Sequence, residues 1–360
     1  MTNILMCQNI PVLNIDDFKV LNKELLPIGL FSHKDFLFRA RFKEWLQLRD
    51  FRHRKNFKYF ISQNIIKHNI GIAKFLKDSY YLSLADQYWI KAQDEQIDWQ
   101  DINFFTNDFS DDVGKDLFFE RELPDAYCKL NPSVSTNGFL PKYWDIIDGK
   151  RVLIKAGSGD FEQEPYNELI AAKIMKELQI NHVEYSLKLM NDGKPISLCE
   201  NFLNEDCEYV PAFLVLGTLK KSNNDNYLTH FIKCAVHLGV DYHQVKTFLN
   251  QMLTLDYLIE NTDRHFGNFG LIRNVQTLQV KPAPIFDCGT SLWNLVDEPN
   301  VKSKLKNLQY ITELNFKTDQ LDNIINIVQD TLSLNKHISS KRLSLILNLL
   351  SIKIEQIKKL

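Results

Sequence analysis

The sequence has few of the features that mark secreted, membrane-spanning or zinc-binding proteins. Its six cysteines are scattered and include no C-x-x-C pair, which favours buried thiols in a reducing compartment over disulfides or structural zinc. No run approaches about 18 uninterrupted apolar residues, so no membrane span is expected. The first ten residues have neither a basic start nor a long apolar run, so no secretory signal is expected. These absences predict a cytoplasmic protein with no membrane partner.

The chain also lacks an excess of charge of either sign. It carries 43 Lys or Arg residues and 45 Asp or Glu residues, a formal net charge of −2, which gives no general attraction to nucleic acid. The exception is the basic stretch Lys34–Lys58, where aromatic residues interleave with the cations. A nucleic-acid patch is one reading of that pattern. An amphipathic helix with a solvated basic face is the commoner one, so direct nucleic-acid binding is not expected.

Local patterns divide the 360 residues into three parts and predict an α+β protein. Residues 1–125 are interpreted as a mostly helical extension packed on the rest. Two hairpin signals, D-G at 148–149 and N-D-G at 191–193, flank a helical pattern that begins near Pro165. They predict a small β-rich lobe over residues 126–203. Apolar residues at three-and-four spacing then predict a helical lobe over residues 204–360, and this order of elements is that of a bilobal protein-kinase-like fold.

Three oxygen-bearing side chains in the helical part have the spacing of a kinase catalytic loop. Asp263 is followed five positions later by Asn268, and Asp287 stands two positions before Gly289 after an apolar run. In kinases one Asp orients the attacking hydroxyl, and an Asn and a second Asp bind magnesium, a hard cation that prefers oxygen ligands. We therefore predict a catalytic role for Asp263 and Mg²⁺ binding by Asn268 and Asp287.

Two neighbours of Asp263 are expected to support the same loop. His265 has no partner histidine at a zinc-ligand spacing, so it is predicted to hydrogen-bond the loop backbone and position Asp263. Arg264 has two possible partners, a phosphate or a nearby acid, and the sequence does not choose between them.

An upstream lysine and glutamate are predicted to bind the nucleotide. Lys155 ends the β-rich run at residues 152–155, and Glu168 lies on a small, apolar helix face. A carboxylate on such a face needs a buried partner, and Lys155 is the candidate. The alternative is that both side chains are solvated, as Lys and Glu usually are.

Two further segments complete the predicted nucleotide site. The small residues at 131–138 are candidates for a loop over the phosphates, with Ser133, Ser135 and Thr136 as its hydroxyl residues. This segment has one glycine and no G-x-x-x-x-G-K-[ST] motif, so a plain surface turn is the alternative. Glu200 and Phe202 lie in the connector between the predicted lobes, where kinases contact the adenine, and they are assigned by order alone.

These motifs together resemble the HipA-like serine/threonine kinases, including the CtkA-like branch of that family. The similarity covers roughly residues 133–293. Asp263, His265, Asn268 and Asp287 match the positions of the family's catalytic loop and following Asp. The N-E-L-I-A segment at 167–171 resembles the family's helix with its Glu, and Lys155 matches its ATP-binding lysine.

The resemblance implies a protein-kinase-like fold, with ATP and Mg²⁺ as cofactors and a protein substrate with a Ser or Thr acceptor. It also implies autophosphorylation of the phosphate loop, for which Ser133, Ser135 and Thr136 are the candidates. Several family members are bacterial toxins held by a DNA-binding antitoxin, which implies a bacterial cytoplasmic location and an antitoxin partner. Residues 1–125 do not match the compact β-rich N-terminal domain of the founding member, which leaves the toxin role open.

Two other functions are compatible with the same residues. The fold could phosphorylate a lipid headgroup or a small alcohol, since small-molecule kinases use the same Asp-to-Asn logic. A nonenzymatic nucleotide- or DNA-binding module would instead use the basic stretch, and its DNA binding would be sensitive to salt.

Overall fold

The chain divides into two compact units, each built from segments that are far apart in the sequence. In the computed structural model, the described residues are 3–31, 34–49, 72–121, 129–136, 138–297, 299 and 317–359. Unit 1 comprises Met1–Ile154, Asn201–His230 and Leu271–Val280. Unit 2 comprises Lys155–Glu200, Phe231–Gly270 and Lys281–Leu360. The boundaries near 125 and 203 stay a prediction, because a pattern that is local in sequence cannot reveal which distant segments pack together.

Unit 1 contains a three-stranded antiparallel sheet near the start of the chain. Its strands, in the spatial order β2-β1-β3, are β1 (Asn3–Cys7), β2 (Ile10–Asn14) and β3 (Tyr88–Ala92). Leu5 of β1 lies opposite Leu13 on one side and Ile90 on the other. The sequence predicted a mostly helical extension here. The pairing of β1 with β3, about eighty residues away, is a contact that short-range periodicity does not report, and the local hairpin of β1 and β2 was also missed.

The described residues between 3 and 121 also form helices. They are α1 (Asp35–Gln47), α2 (Ile72–Asp78), α3 (Trp99–Ile102) and α4 (Asp112–Phe119). The residues that α1 buries, Phe38, Phe42 and Trp45, follow helical spacing and join the core formed by β1 and β2. The first part of the basic stretch is therefore an amphipathic helix. Its continuation at residues 50–58 lies outside the described residues.

Both predicted hairpins are present. β4 (Lys142–Ile147) and β5 (Lys150–Ala156) are neighbours in a sheet, and the turn residues Asp148 and Gly149 both have positive φ, 52° and 76°. Positive φ at both central residues is the geometry that favours a D-G pair. β6 (Tyr185–Leu189) and β7 (Pro195–Glu200) pair antiparallel, with Gly193 at φ 84° in their turn.

The remaining elements are mostly helical. They are α5 (Glu164–Glu177), β8 (Cys207–Pro211), α6 (Ala212–Val215), α7 (Tyr227–His237), α8 (Tyr242–Leu258), β9 (Gly270–Asn274), β10 (Val280–Pro282), α9 (Thr318–Leu332) and α10 (Ser340–Lys358). In unit 2, α9 packs against both α5 and α10. Across the described ranges, no helix is long and apolar enough to cross a membrane.

Candidate active site

Unit 2 brings three of the predicted site residues into direct contact. Lys155 lies one residue before the end of β5 and is 6% exposed. Its Nζ donates to Glu168 Oε1 at 3.2 Å and to Asp287 Oδ1 at 2.8 Å. Glu168 lies on the buried face of α5. The lysine and the glutamate are therefore a buried ion pair, and the alternative of two solvated side chains does not describe them.

The charges of this cluster do not cancel. Burial acts to lower the pKa of Lys155, but the carboxylates of Asp287 and Glu168 outweigh it, and the pKa lies well above its ordinary value. Burial raises the pKa of Glu168, and the nearby Lys155 ammonium opposes that rise. One ammonium against two carboxylates leaves an excess negative charge. Because the Asp287 side chain is 36% exposed, a cation bound there could compensate that charge.

Helix α5 also binds the backbone that follows Asp287. Glu168 Oε2 accepts a hydrogen bond from the Cys288 backbone N–H at 2.8 Å. Asn167, which is fully buried, donates from Nδ2 to the Gly289 carbonyl at 2.8 Å and the Ser291 carbonyl at 2.7 Å. Two adjacent residues of one helix thus fix the Asp-x-Gly segment relative to Lys155.

Gly289 lies where the Asp-x-Gly segment approaches helix α5 closely. A Cβ added to Gly289 would lie 3.2 Å from Glu164 Cβ, so the helix or the segment would have to move by a few tenths of an ångström, whereas its 3.6 Å distance to Glu168 Cγ is an ordinary contact. Asp287 itself has φ 58°, and its backbone N–H donates to the Tyr185 hydroxyl at 3.3 Å. The backbone at Asp287 is therefore held in an uncommon conformation that aims its side chain at Lys155.

The predicted catalytic loop follows α8 and is closed by its own hydrogen bonds. Asn268 donates from Nδ2 to the Asp263 carbonyl at 3.1 Å. His265 Nδ1 accepts from the Gly267 backbone N–H at 3.0 Å, so its Nδ1 carries no proton in this arrangement. Asp263 and His265 are exposed, whereas Asn268 is 8% exposed. The loop thus presents the Asp263 carboxylate to solvent, where an acceptor hydroxyl could approach it.

Arg264 joins the catalytic loop to the strand that leads into Asp287. Its guanidinium donates to both carboxylate oxygens of Asp256, at 2.9 and 3.0 Å. It also donates to the carbonyls of Asn268 and Phe286, each at 2.7 Å, and to Cys288 Sγ at 3.2 Å. The partner of Arg264 is therefore an acid. Asp256 was missed from sequence, where the only signal is an acidic residue within the apolar pattern of α8.

The three hydroxyl residues proposed for the phosphate loop all lie in unit 1: Ser133, Ser135 and Thr136. Ser133 and Ser135 belong to a short 3₁₀ helix and are 0% and 5% exposed. Their hydroxyls donate to the Asp111 carboxylate and the Leu82 carbonyl, while Thr136 Oγ1 accepts from Trp144 Nε1 at 3.0 Å. These contacts are those of a buried turn within unit 1, and a phosphate-loop role for the three residues stays a prediction.

In the sequence, the strand that carries Lys155 and the helix that carries Glu168 are joined by another loop that contains small residues. The loop of residues 157–163, called the nucleotide loop below after the role that we propose for it, runs from the end of β5 to the start of α5. A Cβ on Gly157 would meet the Glu162 backbone at 3.1 Å, and Gly159 has φ 66°. Ser158 donates through its backbone N–H to Glu164 Oε2 at 3.0 Å. The sequence signal was available, since G-x-G stands between a lysine-bearing strand and a helix.

The connector residues lie at the division of the two units. Glu200 is the exposed last residue of β7 in unit 2. Phe202 belongs to unit 1, where its ring makes an edge contact with Tyr209 at 6.0 Å between centroids. The assignment of both residues to adenine binding stays a prediction.

Comparison with known families identifies the chain. The description "HipA-like C-terminal domain" applies to residues 134–335, which is more than half of the sequence. The chain therefore belongs to the HipA-like C-terminal domain family, and the resemblance drawn from its motifs is confirmed.

The chain is also similar to proteins that bear the name CtkA. The serine/threonine-protein kinase CtkA of Helicobacter pylori is 30% identical over 162 residues, which are 42% of this chain and 46% of CtkA. The chain thus spans about half the length of that curated relative. A crystal structure of a proinflammatory kinase CtkA from Helicobacter pylori aligns with a TM-score of 0.46 and 20% identity, covering 61% of this chain and 93% of that one.

A second solved structure matches nearly the whole chain. It is HipA of Shewanella oneidensis MR-1, solved with HipB and its operator DNA. It aligns with a TM-score of 0.61 and 12% identity, covering 99% of this chain and 97% of that one. At this identity the likeness establishes the fold alone, a mixed helix-and-sheet architecture similar to that of HipA, as the sequence predicted.

Proposed function

We propose that the protein is an ATP- and Mg²⁺-dependent serine/threonine kinase. The observation that carries the proposal is the contact of Lys155 Nζ with both Glu168 and Asp287. Protein kinases need a lysine–glutamate pair and a metal-binding Asp in place at the same time. The kinase relative CtkA supports the same conclusion.

The residues present fit ATP and Mg²⁺ by their chemistry. Asn268 and Asp287 supply the oxygen ligands that would bind Mg²⁺, and Lys155 is the cation for the nucleotide phosphates. Bound Mg²⁺ would neutralise charge on the phosphates. Asp263 orients the acceptor hydroxyl and accepts its proton as the new oxygen–phosphorus bond forms, while the bond from the γ-phosphorus of ATP to its bridging oxygen breaks and ADP leaves. His265 maintains the loop through Gly267.

For the phosphate loop we propose the nucleotide loop. It lies directly between the strand of Lys155 and the helix of Glu168, and the N-terminus of α5 that follows it attracts anions. Autophosphorylation is proposed as well. Ser158 is the half-buried hydroxyl of this loop, whereas Ser133 and Ser135 are buried and would have to be exposed first.

An antitoxin-like protein partner in a bacterial cytoplasm is the second part of the proposal. It is supported by the alignment with HipA over nearly the full chain, since that protein was solved with HipB and operator DNA. Co-purification with the product of an adjacent small gene would support this part, and a lone protein from cells that express both would contradict it.

The test of the activity is phosphate transfer from labelled ATP with Mg²⁺, to the protein itself and to dephosphorylated casein. Wild type should incorporate label, and Asp263→Asn, which keeps the size of the side chain, should lose it by at least about a hundredfold, the effect of a general base. Lys341→Met, an exposed change on α10, is the control.

Transfer only to lipids or small alcohols would replace the protein kinase by a small-molecule kinase. Equal transfer by wild type and Asp263→Asn would exclude both the protein kinase and the small-molecule kinase.

A further inference from the structure

The C-terminal helix α10 carries two buried cations on one face. Arg342 and Lys353 are 7% and 0% exposed. They are separated by three helical turns, and Ile346 and Leu349 occupy the same buried face between them. Burying a cation is costly unless hydrogen bonds or opposite charge compensate it, so the partners of each cation show what the helix stabilises.

Arg342 lies between the nucleotide loop and the segment that follows Gly289. Its guanidinium donates to the carbonyls of Trp293 and Val296, each at 2.7 Å. The same group stacks on the ring of Phe161 at 3.7 Å from the centroid. Phe161 belongs to the nucleotide loop, so one side chain fixes two segments that flank the Lys155 cluster in sequence.

The connection between α9 and α10 binds the same loop. Asn335 donates from Nδ2 to the Phe161 carbonyl at 2.9 Å, and His337 lies 3.6 Å from the Glu162 carboxylate. Leu295 lies beside the loop as well, since a Cβ on Gly159 would be 3.9 Å from it. Arg342 is therefore the central part of a larger contact between the end of the chain and the nucleotide loop.

Lys353 acts at the other end of the helix, on the start of the catalytic loop. Its Nζ donates to the Tyr257 carbonyl at 2.6 Å and to the Glu260 carboxylate. Glu260 directly precedes Asn261 and has φ 51°, a left-handed conformation that needs support from its surroundings. The ammonium also faces the ring of Trp293 at 5.6 Å, the residue whose carbonyl binds Arg342.

We propose that α10 is the positioning element of the active site, with separate tasks for its two cations. Arg342 holds the nucleotide loop in its binding geometry and so sets the affinity for ATP. Lys353 fixes Glu260 and thereby the approach of Asp263, and so sets the rate of transfer. The inference rests on the proposed kinase function, and it assigns two positioning residues that lie far beyond the catalytic motifs in the sequence.

The test compares variants by their steady-state kinetics for ATP. Arg342→Met should raise KM for ATP about tenfold with kcat within about twofold, and Arg342→Lys should restore part of that loss. Lys353→Met is paired with Glu260→Gln so that no carboxylate is left buried and unpaired. This double variant should lower kcat about tenfold at unchanged KM. Lys341→Met on the exposed face of α10 is the control.

Hydrogen exchange without nucleotide separates this inference from the kinase proposal. Arg342→Met should speed exchange in peptides that cover residues 157–163 and 293–297, while Lys341→Met should not. If wild type transfers no phosphate but the exchange difference is observed, the kinase function is overturned and the positioning role of α10 remains. Normal transfer with KM, kcat and exchange all unchanged in the α10 variants would overturn the positioning role.

Discussion

At the scale of a residue, Arg264 holds three segments of the candidate site together. The four residues that accept its hydrogen bonds, Asp256, Asn268, Phe286 and Cys288, come from helix α8, the predicted catalytic loop and the Asp287 segment. Burial acts to lower the pKa of Arg264, but Asp256 and Cys288 together outweigh it and raise the pKa above its ordinary value, so the group stays charged. The sequence predicted Lys155, Glu168 and Asp287 because their types and order are specific. It could not choose a partner for Arg264, because the partner depends on how α8 packs.

Arg264→Lys should impair both stability and transfer. A lysine keeps the charge but cannot donate to Asp256 and to two carbonyls in different directions at once. Breaking such a buried pair costs about 3–5 kcal/mol when one partner is removed, and the lysine should lose a part of that. Chemical denaturation and kcat measure the two effects. A variant with the denaturation midpoint and kcat of wild type would show that the guanidinium geometry is unimportant.

At the scale of an element, helix α5 positions the candidate site, because its Asn167 and Glu168 bind the segment that follows Asp287. Its position was predictable, since Pro165 and the following pattern mark it and Glu168 needs a buried partner. The hairpins on either side were predictable because D-G and N-D-G are local signals. The sequence did not reveal that Ser133 and Ser135 are buried in unit 1, where their hydroxyls donate to Asp111 and Leu82, and their role in a phosphate loop stays a prediction. No pattern near residue 133 reports those contacts.

Gly289→Ala tests the packing of α5 on the Asp-x-Gly segment. The added Cβ would lie 3.2 Å from Glu164 Cβ, so helix and segment should move apart by a few tenths of an ångström, at a cost of about 1 kcal/mol, the low end of the range for overpacking. The separation should also weaken the bonds of Asn167 and reduce kcat. The control is Gly149→Ala, where an added Cβ meets nothing within 4 Å. It should lose stability through its positive φ but keep kcat. Equal kcat values for the two variants would contradict this packing argument.

At the scale of the whole molecule, unit 1 is assembled around a buried ion pair between segments that are distant in sequence. Arg273 of β9 donates to the Glu208 carboxylate of β8. It also donates to the Leu26 carbonyl at 3.0 Å and to the Tyr88 hydroxyl at 2.6 Å. This network shows why the sequence did not predict the units: Glu208 and Arg273 are single charges in ordinary strands, and only the folded chain places Tyr88 beside them.

The stability of unit 1 should depend on pH through Glu208. Burial raises the pKa of Glu208 to about 7, although Arg273 opposes the rise. The folded state therefore keeps a proton that the unfolded state releases near its ordinary value of about 4.3. Between these two pKa values the folded state binds more protons, so the free energy of unfolding falls as pH rises from about 5 to 7. The loss is at most about 3 kcal/mol.

Tryptophan fluorescence during chemical denaturation measures this, because Trp45, Trp89, Trp99 and Trp144 belong to unit 1. Glu208→Gln should remove this part of the pH dependence, since the amide does not titrate over this range. Other titrating groups contribute equally to both proteins, so the difference between their two pH profiles isolates Glu208. Parallel profiles would mean that Glu208 stays ionised beside Arg273 throughout, and the pair would then stabilise unit 1 independently of pH.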